Sequence, residues 1–247
     1  MSMDLFWTHQ EKIQEGMGFG QFSIVHFIWL ISMFLLAYYI SEKYKKSDDK
    51  HKDRIRKAIS IFFIVTELIK LYVIYLNGVD VTDYLPLEIC SFAAYAIIID
   101  TFLEKSFCRE MILYLFLPAG FVALLFPTVT VLPSFNFFTI HQFLFQCFMI
   151  AYALARYRSG EVRISYKGFW KAAFSLLVLV ICMYFVDVYF QKEFMFLTTT
   201  YGNAALMAIE SFSGKGITYT IALFCIAILV LHIFFALLYC IDRRKLR

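Results

Sequence analysis

Thr218-Tyr-Thr-Ile-Ala-Leu-Phe-Cys-Ile-Ala-Ile-Leu-Val-Leu-His-Ile-Phe-Phe-Ala-Leu-Leu-Tyr-Cys-Ile241 contains no Asp, Glu, Lys or Arg. An apolar run of about 20 residues is long enough to cross a bilayer core of about 30 Å as a helix. Six more such segments precede it: Phe22–Ile40, Ala58–Asn77, Tyr84–Phe102, Met111–Phe126, Phe137–Ala155 and Phe169–Phe190. The fourth is the shortest and is interrupted by Pro118 and Gly120, so backbone freed there must be satisfied by a neighbouring helix or a polar group. The reading is an all-α polytopic membrane protein with seven transmembrane helices, forming one membrane domain over residues 1–247. Composition agrees: 61% of residues are hydrophobic and 17% charged, against about half and about a quarter in soluble domains.

The first 20 residues carry Asp4, Glu11 and Glu15 against Lys12 and lack a basic start followed by an apolar core. That is not a secretory signal, so the first helix is expected to stay in the mature protein. The six cysteines show no CxxC or Cys/His metal spacing. No metal or organic cofactor is expected, and most cysteines read as small apolar packing residues.

Lys and Arg set the orientation. The connection Ser41–Lys57 carries eight, from Lys43 to Lys57. The third connection carries Lys105 and Arg109. The fifth carries Arg156, Arg158, Arg163 and Lys167, with Lys171 just past its end. The tail carries Arg243, Arg244, Lys245 and Arg247. The other side has only Lys12, Lys192 and Lys215, with Lys70 inside a helix. The bias predicts an N-terminus outside and a cytoplasmic C-terminus. It also accounts for the basic loops without nucleic acid, so the expected partners are membrane lipids. The connection Gln191–Ile217, with Phe-Met-Phe-Leu at 194–197, is too apolar for a plain solvated loop. It reads as lying on the membrane or dipping back as a cover over a cavity.

Ionisable groups inside membrane helices are costly and usually face a partner or a cavity. Here they are His26, Glu67, Lys70, Glu88, Asp100, His141, Asp187 and His232. Counting from the outer ends, Cys90 is six residues into the third segment and His141 four into the fifth. At a rise of 1.5 Å per residue both lie about 6–9 Å below the outer surface. An imidazole can take a thiol proton, so this pair is a candidate nucleophile and base. The plain alternatives are a packing cysteine and a hydrogen-bonded structural histidine. Glu67 and Lys70, three apart on one helix face, read first as a self-neutralising ion pair and second as groups orienting the histidine or a lipid phosphate. Glu88 could balance a histidine cation or be an interfacial carboxylate. His26, Lys70 and Asp187 are expected to line the pocket. Gln142 and Gln146, four apart, share a face as cavity lining or helix contact. Asp100 is expected to face water at the cytoplasmic end, and His232 to bond a neighbouring helix.

The order of motifs carries a resemblance. Phe22-Ser-Ile-Val-His26, Glu67, Leu85-Pro-Leu-Glu-Ile-Cys90, Pro118-Ala-Gly120, Phe135-Asn-Phe-Phe-Thr-Ile-His141 and Glu193-Phe-Met-Phe-Leu197 follow one another along nearly the whole chain. The chain resembles the YwaF family of bacterial membrane proteins, which is distantly similar to an animal transmembrane acyltransferase that remodels ether phospholipids. The resemblance implies a bacterial cytoplasmic-membrane location and an acyl transfer using Cys90 and His141. Two departures stand out. Position 88, often histidine in that motif, is Glu88, which removes a second imidazole, and an Asn-Tyr-Met-type motif is Glu193-Phe-Met.

The leading expectation is a membrane acyltransferase or acyl hydrolase acting on lipid acyl esters, with Cys90 as nucleophile and His141 as base. The rival is a non-enzymatic transporter or small-molecule binder, with a polar route through Asp100 and His232. A sensor or assembly partner without chemistry is the third.

Overall fold

A computed structural model describes residues 3–14, 16–200 and 203–245. Glu15, Tyr201, Gly202 and Arg247 lie outside the described residues. The described chain is helical, with no strand. In chain order the helices are α1 Met3–Trp7, α2 Ile24–Lys46, α3 Asp49–Leu76, α4 Ile89–Leu103, α5 Ser106–Leu125, α6 Phe137–Arg158, α7 Tyr166–Phe190, α8 Ala204–Ser213 and α9 Ile217–Lys245. Six of these, α2, α3, α5, α6, α7 and α9, are long and apolar enough to cross a membrane. Each expected segment coincides with a helix, but α4 has only 15 residues. It starts five residues later than expected because Pro86 bars helical backbone before it. Val81–Tyr84 form a 3-10 turn instead, and Glu88 is the extended N-cap.

The basic stretch Ser41–Lys57, read as a loop, is mostly helix. α2 and α3 run past their apolar parts and leave only Ser47 and Asp48 between them. Charged side chains hold the extra turns through i,i+3 and i,i+4 pairs, such as Lys46 with Glu42 and Lys57 with Asp53. Asp48 caps α3 by accepting from His51 N–H at 2.9 Å.

α6 is the hub. It packs against α2, α3, α4 and α5 and has the most buried residues of any described helix. Large apolar side chains face outward from the bundle, for example Ile24, Leu35, Phe174 and Leu229, as a lipid-facing surface requires. α5 contains a wide turn at Ile112–Phe116, where Leu117 N–H reaches back five residues to Ile112 O. The cause is Pro118, which has no N–H and whose ring crowds the carbonyl four residues earlier. Next to it Gly120 meets α6. A Cβ there would sit 2.5 Å from Met149 Cε and 3.1 Å from Ile150 Cγ1.

Asp100 departs from expectation. It does not face water and is fully buried. Its carboxylate accepts from Arg109 Nε at 2.8 Å, Arg156 Nη2 at 3.1 Å and Tyr152 Oη at 2.8 Å. Arg156, expected in a loop, is 3% exposed in the last turn of α6. It also contacts Tyr44 and Glu161. Ser60 and Thr101 extend the network to α3 with a 2.8 Å bond. A carboxylate buried in an apolar bundle must find cations inside the protein, and α4, α5 and α6 supply the carboxylate and its two arginines.

At the other end residues 191–200 are pinned in place. Phe194 N–H donates to Asp187 Oδ1 at 3.2 Å, and Leu197 O accepts from Thr220 Oγ1 at 2.8 Å. Lys192 Nζ reaches Asp80 Oδ2 at 3.1 Å and also pairs with Asp83. Asp80 accepts from Thr82 N–H and Oγ1 as well as from Lys192, and these bonds hold its pKa at about 2, below the ordinary 3.8. A depressed carboxylate contributes its tie fully above 3.8 and loses it as pH falls through about 2.

Two predictions follow from this architecture. Asp100→Ala leaves two arginines without their carboxylate and is expected to cost about 3–5 kcal/mol, measured by denaturant unfolding in bicelles. A loss below about 1 kcal/mol would mean the arginines find other partners. The 191–203 connection should resist limited proteolysis equally at pH 7 and pH 4 and loosen only near pH 2. Loosening already at pH 5 would show that the Asp80 tie does not control it.

Candidate functional site

A cavity of about 560 Å³ opens at the end of the bundle that carries the N-terminal segment and the 191–203 connection. Specific ligand sites usually fall at about 300–1,000 Å³, mostly apolar with a few convergent polar groups. Here the apolar walls come from the second half of α5, α7, α8, α9 and Phe194–Leu197. The polar wall comes from α3, the start of α4 and the first turns of α6: Glu67, Lys70, Glu88, Cys90, His141, Gln142 and Gln146 all line it.

Cys90 is the second residue of α4, so it stands at a helix N-terminus and not a turn and a half inside. Oriented peptide dipoles favour negative charge at such an end. α2, α3, α6, α7 and α8 each receive a side-chain N-cap bond, and α4 receives none from Glu88. The thiol accepts a hydrogen bond from Gln146 Nε2 at 3.0 Å.

Glu67 stands between two partners. Lys70 Nζ is 2.5 Å from its Oε1, and His141 Nε2 is 3.9 Å from its Oε2. The second distance is beyond a hydrogen bond, and His141 Nε2 has no hydrogen-bond partner among the described residues. Its ring lies between Phe137, at 5.9 Å, and Phe145, at 5.4 Å. Gln146 Oε1 is likewise buried without a partner. Thr128 Oγ1 donates to Gln142 Oε1 at 3.2 Å. Unpaired polar atoms on a cavity wall are the positions a polar ligand or water can satisfy.

The structure brings Cys90 and His141 to one cavity, each with its own neighbour: Gln146 for the thiol and Glu67 for the imidazole. Two expected lining residues lie elsewhere. His26 is fully buried in the first turn of α2. Its Nδ1 accepts from Phe22 N–H at 3.0 Å, and its Nε2 donates to Leu124 O at 2.9 Å. Phe22 has a positive φ of 56°, and this imidazole braces that bend against the end of α5. Asp187 is 2% exposed and holds the turn after α7. His232 bonds Ile228 O of its own helix at 3.1 Å and packs on Phe169 at 4.3 Å. Neither Asp100 nor His232 lines the cavity. Lining residues that the sequence left unmarked are His9 and Gln10, because nothing in the polar first 20 residues signals that the segment folds back onto the bundle.

The chain matches the model of the TMEM164 family over residues 18–241. No curated protein and no solved structure matches it. An all-helical chain with six helices fit to cross a membrane is what a multi-pass membrane family requires. This chain belongs to the TMEM164 family.

Proposed function

We propose that the protein is an integral membrane acyltransferase or acyl hydrolase that works on lipid acyl esters through Cys90 and His141. The observation that carries the reading is the polar wall. A thiol at a helix N-terminus, an imidazole beside a carboxylate and a supporting amide share one cavity whose other walls suit a hydrocarbon chain.

The step balances with these groups alone. The Cys90 thiol adds to the ester carbonyl, a C–S bond forms and the ester C–O bond breaks. The thiol proton passes through His141 to the departing alkoxide oxygen. An acceptor alcohol, or water, then repeats the step in reverse at the thioester. Glu67 charge-balances the imidazole as it becomes a cation, and Lys70 in turn holds Glu67. Gln146 steadies the sulfur, and Glu88 lies at the mouth of the first turn.

Seven crossings belong to this reading. At a rise of 1.5 Å per residue α4 covers about 22 Å, and residues 85–88 before it would lengthen its passage. The Lys/Arg bias supports an outside N-terminus and a cytoplasmic C-terminus, which puts the cavity in the outer half. The YwaF-like motifs support a bacterial cytoplasmic membrane.

The transporter reading needs a polar route onward through Asp100 and His232. Asp100 is locked by two arginines, His232 is bonded within its own helix, and the inner cavity wall is apolar at Leu115, Leu176 and Leu231. Those features favour a closed pocket over a path.

Turnover of a fluorogenic long-chain acyl ester in nanodiscs tests the proposal. Cys90→Ala should fall to background. His141→Ala should lose about 10²–10⁴-fold, with Glu67→Gln intermediate. A folded, abundant Cys90→Ala protein that keeps full turnover would sink the reading.

A further inference from the structure

One cavity wall takes no part in the thiol–imidazole chemistry. His9 lines it, and this residue lies outside the 18–241 stretch that matches the family model. Two asparagines fasten the chain around it. Asn136, the N-cap of α6, donates from Nδ2 to Leu5 O and Thr8 O at 2.9 Å each. Asn77, the C-cap of α3, donates to Trp7 O at 2.8 Å and accepts from His9 N–H at 3.0 Å. The imidazole is then gripped edge-on between two rings, Tyr84 at 5.0 Å and Phe138 at 5.3 Å. It is only 3% exposed.

The orientation of the ring assigns its proton. Nδ1 accepts from Glu11 N–H at 3.5 Å, so in the neutral ring the hydrogen is on Nε2. Burial lowers the pKa of His9 below the ordinary histidine value, and Lys12 adds to this while Glu11 opposes it. The ring is therefore a neutral donor at pH 7. Nε2 is the donor atom of the ring. On the polar wall Lys70 pairs with Glu67, Gln146 Nε2 donates to Cys90 and Thr128 donates to Gln142 Oε1.

We propose that His9 is a positioning residue, its Nε2–H donating to an ester-carbonyl or phosphate oxygen of the lipid bound in the cavity. The inference rests on the lipid-ester reading above. It makes the N-terminal segment part of the site. His9 takes no proton in the reaction. It fixes the lipid so that its ester reaches Cys90.

The test uses the full chain in nanodiscs with two fluorescent phosphocholine lipids, one with a single acyl chain and the other its alkyl-ether analogue. His9→Phe keeps the ring packing and removes the donor. His9→Gln returns an N–H close to the Nε2 position. Equilibrium binding of the acyl probe should weaken about 3–10-fold in His9→Phe and recover to within about twofold in His9→Gln. A loss confined to the acyl probe assigns the ester carbonyl, and an equal loss for the ether analogue assigns the phosphate; either supports the proposal. Wild-type affinity in His9→Phe, or no recovery in a His9→Gln protein of unchanged thermal stability, overturns it. Cys90 acylation is followed in the same samples. A wild type that is acylated at a rate His9→Phe does not change retains the acyl-transfer reading and discards His9. A His9-dependent binding without any acylation does the reverse. A wild type that binds neither probe discards both.

Discussion

Asp100 is shut off from solvent, and the bundle is arranged around that fact. A carboxylate in a hydrocarbon-facing bundle is stable only if protein cations reach it. Arg156 comes from α6 and Arg109 from the start of α5. α4 and α6 run in the same direction, each with its N-terminus at the cavity. Ten residues separate Asp100 from Cys90 on α4, and ten separate Arg156 from Gln146 on α6. Equal spacing means equal rise, about 15 Å, and equal rotation. The Asp100–Arg156 and Cys90–Gln146 contacts are thus two rungs of one register. Satisfying the buried charge at one end fixes which side chains meet at the other.

The cavity follows from what cannot pack between those rungs and the outer helices. Pro118 forces α5 to widen at Ile112–Phe116, and Gly120 lets α5 approach α6 beside Gln146. Glu67 and Lys70 satisfy each other on α3, so their charges sit on the wall without destabilising it. The 191–203 connection and α8 then close the side, and the N-terminal segment is tied across by Asn77 and Asn136. Polar residues thus gather on one wall and apolar residues on the others. That division suits a molecule with a polar ester and a long hydrocarbon tail.

The seven helical segments were legible because length and hydropathy are local properties. Their ends were less so. The charged turns of α2 and α3 are helical through i,i+4 pairing, which an apolar-run reading does not register. Arg156 reads as a loop charge and Asp100, near the cytoplasmic end of its segment, as facing water; their pairing crosses 56 positions and leaves no local mark. Cys90 and His141 are legible as residues at matched depth, like His26 and Asp187, and Glu67, Lys70, Glu88, Gln142 and Gln146 as polar residues within apolar segments. His26 and Asp187 share that depth but point into backbone turns, a matter of rotation and not of height. His9 had no signal, because its position depends on two asparagines far along the chain.

The central claim is that Cys90 carries an acyl group during turnover. Incubation of the purified protein with a phospholipid in nanodiscs, rapid quenching and peptide mapping by mass spectrometry tests it directly. The account predicts a hydroxylamine-sensitive acyl adduct on the Cys90 peptide, absent from the peptides of the other five cysteines and much reduced in His141→Ala. An unmodified Cys90 under conditions in which lipid is consumed, or acylation spread evenly over all six cysteines, would contradict it.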